Sequence, residues 1–320
     1  MTSQSPPPRR ILVIKHGALG NVILSLGPFA AIRRHHTDAQ ITLLTTTPFA
    51  DWLAHSPWFD AIWTQQRLKW WDLPGWLRLR RRLTAGQFDR VYDLQTSGHS
   101  SRYFYLLPTR GRPEWSGIAL GSTLPDRDPN RDHLHDVDRQ FGQLRQAGVP
   151  SREPADVSWS EGDISSFSLP DHFALLAPGS APHRLLKRWP ISRYRELAIM
   201  LTARGVTPVV IGTAPERALA RGISGAIDLT GRTDLYQLTS LARAATVAIG
   251  NDTGPMHLIA TAGCPSVVLF SRDSDPALCA PRGPSVVTLR RPDLSQLDAT
   301  TVMDAVTAMM PLQAGALVAG

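Results

Sequence analysis

Residues 10–36 read RILVIKHGALGNVILSLGPFAAIRRHH, and this stretch decides the fold. The apolar run at 11–14 predicts a buried strand, and the segment 22–36 has the pattern of a helix. Between them, KHGALGN at 15–21 places two glycines in a strand-to-helix turn. A turn of this kind, at the carboxyl end of a strand, often binds an anion.

The same alternation continues along the chain and predicts parallel sheets covered by helices. Strands are predicted in the first half near 10–15, 40–45, 60–63 and 89–94. A polar stretch with turn residues interrupts the pattern at 156–173, and the alternation then restarts. The later predicted strands lie at 173–177, 206–212, 226–229, 246–250 and 265–270. We therefore predict an α/β chain of two doubly wound, Rossmann-like domains in tandem.

Size and charge agree with this organisation. At 320 residues the chain exceeds the length at which single hydrophobic cores stop growing. Its 34 Lys and Arg against 27 Asp and Glu give a net charge of +7, which favours an anionic partner without identifying it. The polar, proline-rich first residues and the short apolar run behind them predict neither a signal peptide nor a membrane span, so we expect a cytoplasmic chain.

The most specific motif is GNDTGPMHLIATAG, residues 250–263. It follows an apolar strand, residues 251–253 offer capping side chains, and Gly254 and Pro255 suit the start of a helix. Backbone N–H groups at the positive end of a helix dipole bind anions, so we interpret the turn as a phosphate site. A well-capped helix start is the simpler alternative, but it does not explain His257 one turn further on.

Two further loops follow predicted strands of the second half. PGSAPHRLLKRWP, residues 178–190, is either a diphosphate-binding loop or a solvated basic loop, and it contains three cations: Arg184, Lys187 and Arg188. IGTAPE, residues 211–216, ends a strand and places Glu216 in the first turn of a helix. That carboxylate either stabilises the helix dipole or accepts hydrogen bonds from a ribose diol.

These blocks, in this order and together with DLTGRTDLYQL and DPALCAPRG, resemble the ADP-heptose:lipopolysaccharide heptosyltransferases of glycosyltransferase family 9. The resemblance covers nearly the whole chain. It implies a GT-B fold, with two Rossmann-like domains facing across a cleft, and inverting transfer of heptose from a nucleotide diphosphate, ADP-heptose, to a lipopolysaccharide core or lipid-linked acceptor. Residues 1–158 would bind the acceptor and residues 159–320 the nucleotide sugar, with the terminal helix free to pack back on the first domain.

The resemblance also implies roles for single residues on the donor side. Thr253 and Gly254 would contact the donor phosphates with Asp252 and His257 beside them, Lys187 would neutralise the departing diphosphate, and Glu216 would bind the ribose. A lysine and a helix N-terminus can stabilise the leaving group in place of a divalent cation. We therefore expect no metal and no cofactor.

Asn21 is the departure from the family pattern. The family usually has an aspartate at this position, which removes the proton from the acceptor hydroxyl. An amide cannot accept that proton, and general-base assistance is worth about 10² to 10⁴ in rate. His16 in the same turn and Asp93 at the end of a predicted strand are candidate substitute bases, and a loop-anchoring carboxylate is the simpler interpretation of Asp93. Alternatively, the chain is a nucleotide-sugar-binding relative with weak or no transferase activity.

Candidates for the acceptor side are Lys15, Gly20, Arg102, His135 and Arg139. The resemblance assigns the histidine and the last arginine of this group to the start of a helix facing the acceptor. The surrounding segment, RDHLHDVDRQ at 131–140, also contains an HxHD pattern found in metallohydrolases, although the other ligand-bearing segments of such enzymes are missing.

Residues 67–82, RLKWWDLPGWLRLRRR, interleave tryptophans with cations. This composition suits a peripheral contact with the anionic cytoplasmic face of the inner membrane, a partly buried helix with a solvated arginine face, or contact with an anionic glycolipid acceptor.

Two other functions have weaker support in the sequence. An NAD-dependent oxidoreductase would need a G-x-G-x-x-G turn, which GALGN does not complete, and nucleic-acid binding rests on net charge alone.

Overall fold

A computed structural model describes residues 7–310, and the chain divides into two compact units between Trp159 and Ser160. Each unit contains one sheet of six parallel strands covered by helices. The predicted α/β class with two doubly wound domains is confirmed. None of the helices within residues 7–310 combines the length and the apolar character needed to cross a bilayer.

The sheet of the first unit has the strand order β3-β2-β1-β4-β5-β6. Its strands are β1 (Arg10–Ile14), β2 (Gln40–Thr45), β3 (Ala61–Thr64), β4 (Arg90–Asp93), β5 (Glu114–Gly117) and β6 (Leu124–Pro125). Its helices are α1 (Leu19–Ile23), α2 (Leu26–His35), α3 (Thr47–Ala54), α4 (Leu73–Ala85), α5 (Gly98–Leu106) and α6 (Asp136–Gln146), with a 3₁₀ turn at Arg131–His133.

The sheet of the second unit has the order β12-β11-β10-β7-β8-β9. Its strands are β7 (Phe173–Ala177), β8 (Thr207–Val210), β9 (Ile227–Asp228), β10 (Val247–Asn251), β11 (Ser266–Phe270) and β12 (Val286–Arg290). Its helices are α7 (Ile191–Thr202), α8 (Arg217–Ala220), α9 (Leu235–Ala244), α10 (Gly254–Thr261), α11 (Pro276–Cys279) and α12 (Ala299–Met309). Its 3₁₀ turns are Ser165–Phe167, Leu185–Lys187, Ala214–Glu216 and Leu294–Gln296.

Both sheets have the same topology when the second is read from its opposite edge. The strand order reverses between β1 and β4 in the first unit and between β7 and β10 in the second. Parallel sheets bind ligands at the carboxyl ends of the strands at such a switch point. The turns after these four strands are therefore where functional side chains are expected.

The first helix differs from the prediction of one helix over 22–36. It begins at Leu19, ends at Ile23, and is followed by a separate helix from Leu26. Two features explain the break: the Ser25 hydroxyl donates to the carbonyl of Asn21 at 2.7 Å, and Pro28, which lacks an N–H, fits only the first turn of the new helix.

Three strands were absent from the prediction. β5 (EWSG) and β6 (LP) are short and do not lie in an apolar run. β12 (VVTLR) is an edge strand whose residues are mostly half-buried or exposed. The last described helix, α12, packs against α7 and β11 in the second unit. Residues 311–320, where any later helix would lie, are outside the described residues.

Candidate functional site

In the second unit, the turn between β10 and α10 has the sharp geometry that the sequence indicated. A Cβ atom at Gly250 would lie 2.6 Å from Sδ of Met256 and 2.7 Å from Cβ of Ala177, so only glycine fits there. Thr253 occupies the N-cap position of α10, yet its side chain makes no capping hydrogen bond. Helix capping, the simpler alternative for this turn, therefore does not account for the side chain of Thr253.

Lys187 and Asp252 form the central ion pair of this turn. The lysine Nζ lies 2.5 Å from Oδ2 of Asp252, and the carboxylate side chain is only 6 % exposed. Nε2 of His257, on the first turns of α10, lies 4.0 Å from the other carboxylate oxygen. The structure thus brings together three predicted donor-side residues beside the N-terminus of α10.

Asn251, which sequence reasoning missed as a site residue, joins this turn to the loop after β7. Its Oδ1 accepts from the N–H of Trp189 at 3.0 Å and from the hydroxyl of Tyr194 at 3.1 Å. Its Nδ2 donates to the carbonyls of Pro178 and Gly179 at 2.7 and 3.2 Å. The only signal in the sequence is an amide that ends an otherwise apolar strand.

The other cations of the loop at 178–190 hold its shape. Arg188 donates from Nε to the hydroxyl of Ser180 at 3.0 Å, and Arg184 donates to the carbonyl of Asp273 at 3.2 Å. Of the three loop cations, Lys187 is therefore the one directed at the β10–α10 turn.

Glu216 lies over the same edge of the sheet, next to Gly179. Its Oε2 accepts from the N–H and the hydroxyl of Thr213 at 2.7 and 2.9 Å, which caps the short 3₁₀ turn. A Cβ atom at Gly179 would lie 1.8 Å from Oε1 of Glu216. Glu216 therefore has the capping role that the sequence allowed. Its second carboxylate oxygen lies against the loop that carries Lys187. The contact of Glu216 with a ribose stays a prediction.

In the first unit, a cavity of about 480 Å³ opens at the carboxyl ends of β1 and β4. It combines cationic, imidazole, hydroxyl and amide groups. The lining residues are His16, Gly17, Thr46, Arg67, Gln95, Ser97, Gly98, His99 and Arg102. Arg102, predicted to face the acceptor, is exposed and lines this cavity.

Lys15 is buried beside the cavity in an ionic cluster with α6. Its Nζ donates to the carbonyl of Leu94 at 3.1 Å and lies 3.8 Å from Oδ2 of Asp136, which also pairs with Arg139. Burial lowers the pKa of Lys15 despite this carboxylate. Burial alone would raise the pKa of Asp136, but the charges of Lys15 and Arg139 bring it below its ordinary value. His135 is the N-cap of α6 and accepts from the N–H of Val137 at 3.3 Å.

His16 and Asp93 have different environments, although His16 follows β1 and Asp93 ends the neighbouring strand β4. The Nε2 atom of His16 lies 3.2 Å from the hydroxyl of Tyr103, and burial, with a smaller effect of His99, lowers the pKa of His16 to about 4. Asp93 is fully buried, and burial raises its pKa to about 6 even though nearby hydroxyl and N–H groups lower it. Its Oδ1 accepts from the N–H of Gln95 at 3.1 Å.

Asn21 lies on α1 with its side chain exposed, and Gly20 is buried in the same helix.

The HxHD pattern does not form a metal site. His133 lies in the 3₁₀ turn before α6, and Asp138 pairs with Arg152 at 2.5 Å. Within the part of the chain that the structure describes, no group of three His, Cys, Asp or Glu side chains is arranged to hold a metal ion.

Comparisons with known proteins agree with the resemblance seen in the sequence. The model of glycosyltransferase family 9 (heptosyltransferase) matches residues 76–306. The lipopolysaccharide core heptosyltransferase OpsX of Haemophilus influenzae is 23 % identical over 285 residues, which cover 82 % of this chain and 79 % of that protein. Lipopolysaccharide heptosyltransferase 2 of Salmonella typhimurium is 26 % identical over 292 residues, which cover 83 % of each.

Two solved structures show the same fold. The structure of E. coli ADP-heptose lps heptosyltransferase II has a TM-score of 0.73 and 19 % identity, and the match covers 94 % of this chain and 98 % of that one. E. coli heptosyltransferase WaaC with ADP has a TM-score of 0.71 and 20 % identity, with 93 % and 99 % covered. The predicted GT-B architecture of two Rossmann-like domains is confirmed.

Proposed function

The chain belongs to glycosyltransferase family 9, and we propose that it transfers heptose with inversion from ADP-heptose to a lipopolysaccharide core or lipid-linked acceptor. The observation that carries the proposal is the Lys187–Asp252 pair beside the N-terminus of α10. An ammonium group and a helix N-terminus at the switch point of a parallel sheet favour a ligand with clustered negative charge. A nucleoside diphosphate has that charge.

On the donor side, the backbone at Thr253 and Gly254 would bind the diphosphate, with Asp252 and His257 beside it. Lys187 would turn from Asp252 to the phosphate oxygens and stabilise the charge that develops as the bond to the anomeric carbon breaks. Glu216 would accept hydrogen bonds from the ribose. We propose that this cation and helix N-terminus replace a divalent metal, so that transfer continues in the presence of a chelator.

On the acceptor side, the anionic groups of the acceptor would contact Arg102 and the cluster of Lys15, His135 and Arg139, near Gly20. The acceptor hydroxyl oxygen would form a bond to the anomeric carbon while the diphosphate leaves, and its proton must pass to a base. Burial lowers the pKa of His16 to about 4, so its ring is neutral at pH 7 and can accept the proton, but as a weaker base than free imidazole. Because the acceptor is lipid-linked, we place the reaction at the cytoplasmic face of the inner membrane.

A second candidate function is donor binding with weak or no transfer. The exposed amide of Asn21 favours it, since this side chain supplies no base at the position where the family has one. Calorimetry would then show donor binding without transfer or hydrolysis over hours.

The proposal is tested with a panel of nucleotide sugars. We expect thermal stabilisation by ADP-heptose, followed by ADP release when a Kdo-bearing acceptor is added. Lys187→Ala and Thr253→Ala should each weaken donor binding, Lys187→Ala by about 10- to 100-fold because a charge-assisted contact is lost. Arg204→Ala, which removes an exposed cation of the same unit, is the control. Unchanged donor affinity in both site variants would overturn the proposed site.

A further inference from the structure

We propose that the first unit binds an anionic phospholipid bilayer through a surface at the start of α4, which we call the tryptophan–arginine surface. Four large apolar side chains lie exposed there: Trp70 is 73 %, Trp71 59 %, Leu73 69 % and Leu77 52 % exposed. The cations of the surface are Lys69, Arg78, Arg80 and Arg81.

The exposure of these side chains is not explained by the packing of α4. The helix buries Gly75, Leu79 and Leu83 on its opposite face, and that face joins the hydrophobic core of the unit. Leu73 and Leu77 lie one turn apart on the outer face, which the fold leaves uncovered. The sequence alternative of a partly buried helix with a solvated arginine face is therefore confirmed for α4, and the same outer face also exposes Leu73 and Leu77.

The two tryptophans are held in place rather than loosely attached. Their rings meet edge to face with centroids 5.4 Å apart, and Nζ of Lys69 lies 5.3 Å from the ring centroid of Trp71. Nε1 of Trp76 donates to the carbonyl of Lys69 at 2.9 Å, which ties this segment to α4. A preorganised pair of exposed indoles loses little conformational freedom when it inserts into an interface.

Charge selects the anionic bilayer as the partner. Within residues 7–310, none of the four cations of the surface forms an ion pair with a carboxylate. The neighbouring carboxylate of Asp72 accepts from the N–H of Gly75 at 2.9 Å and so caps α4. Indole rings prefer the boundary between headgroups and acyl chains, and unpaired cations around them attract anionic headgroups.

The surface also adjoins the cavity of about 480 Å³ in the first unit, which Arg102 lines. Arg67, two residues before Lys69, lines that cavity, and the Trp76 ring packs on His99 of its wall with centroids 5.5 Å apart. A bilayer docked on the tryptophan–arginine surface would therefore lie beside the cavity opening, where a lipid-linked acceptor could enter with its sugar end first. This last step rests on the proposed function, whereas membrane binding itself does not.

The test is co-sedimentation of the full chain with vesicles of phosphatidylglycerol and phosphatidylcholine, compared with phosphatidylcholine alone. We expect binding to the anionic vesicles at low salt, weakened by salt, and little binding to the neutral ones. A triple variant, Arg78→Gln with Arg80→Gln and Arg81→Gln, should lose about 100-fold in affinity, since each cation near the surface contributes about fivefold. The control triple variant removes the same charge from exposed sites of the same unit: Arg110→Gln, Arg127→Gln and Arg145→Gln.

A second variant, Trp70→Ser with Trp71→Ser, should also lose binding while its thermal unfolding is unchanged, because both rings are exposed. The proposal is overturned if the chain stays in the supernatant with anionic vesicles, or if the control triple loses as much affinity as the surface triple. It is also overturned if the tryptophans instead mediate concentration-dependent association of the chain in gel filtration. ADP release with a short, lipid-free acceptor is measured separately, so a failure of the transferase proposal is distinguishable from a failure of membrane binding.

Discussion

Removing the side chain of Asn251 is the sharpest test of how the second unit holds its site together. Asn251→Ala leaves the buried N–H of Trp189 without its acceptor, which costs about 1 to 3 kcal/mol. The carbonyls of Pro178 and Gly179 each lose a donor, at about 0.5 to 1.5 kcal/mol apiece. Tyr194 loses less, since its hydroxyl also reaches the carbonyl of Ala177 at 3.3 Å. We therefore expect a loss of about 2 to 6 kcal/mol in the free energy of unfolding of this unit.

The assay must follow the second unit alone, because a chain of two units need not unfold in one step. Pulsed hydrogen exchange at increasing urea concentration, read by mass spectrometry on peptides from β7, β10 and α7, reports that unit. Asn251→Asp keeps the shape of the side chain but replaces its N–H donor with a carboxylate oxygen, which faces the carbonyls of Pro178 and Gly179. This variant should therefore also lower the free energy of unfolding. Gln296→Ala, which removes an exposed amide of the same unit, should change stability by less than about 0.5 kcal/mol. An Asn251→Ala variant as stable as the Gln296→Ala control would refute the reasoning.

Three other substitutions test the remaining features. We expect Asn21→Asp to raise turnover in initial-rate assays, by about 10²- to 10⁴-fold if no other side chain serves as the base and by less if His16 does. A fall would show that the amide works within a rearranged site. Gly179→Ala should weaken ADP binding measured by calorimetry, because the new Cβ displaces Glu216. The control, Gly142→Ala, adds a Cβ where there is open space and should not weaken ADP binding. Equal ADP affinities of the two variants would remove Glu216 from the donor site. Because the pKa of Asp93 is raised to about 6 in the folded chain, the folded state holds the proton more tightly, and stability falls as the pH rises from about 4 to 6. Relative to Asp93→Asn, the native chain should lose about 2 kcal/mol between pH 4 and pH 7 in urea unfolding followed by tryptophan fluorescence. Parallel pH curves for the two proteins would contradict this.

The central strands were predictable because they are buried on both faces and therefore read as continuous apolar runs. β1, β2, β7 and β11 are examples, and every residue of β7 is buried. β5 (EWSG) and β6 (LP) were missed because neither lies in an apolar run, whereas β4 and β9, which are equally short, do. The break between α1 and α2 depends on a single serine hydroxyl and one proline, which a hydrophobic pattern does not record.

The turn between β10 and α10 was also predictable, because Gly250 leaves no room for a Cβ and Pro255 fits the first turn of α10. What the sequence did not reveal is which side chains meet across the fold. Lys187 and Asp252 are 65 residues apart, and Asn251 reaches back 73 residues to Pro178. Lys15 and Asp136 come together only because β1 and α6 pack in the same unit. Such contacts depend on topology, which residue spacing does not determine.

The repeated strand order of the two sheets has a practical consequence for engineering. Each unit completes its own sheet, and a single peptide bond, Trp159–Ser160, separates them in the chain. If nucleotide recognition belongs to one half and glycolipid recognition to the other, the two specificities can be inherited independently. Chimeras that exchange halves with relatives at this junction would recombine sugar donors with acceptors, and the parent of each half would identify which substrate it selects.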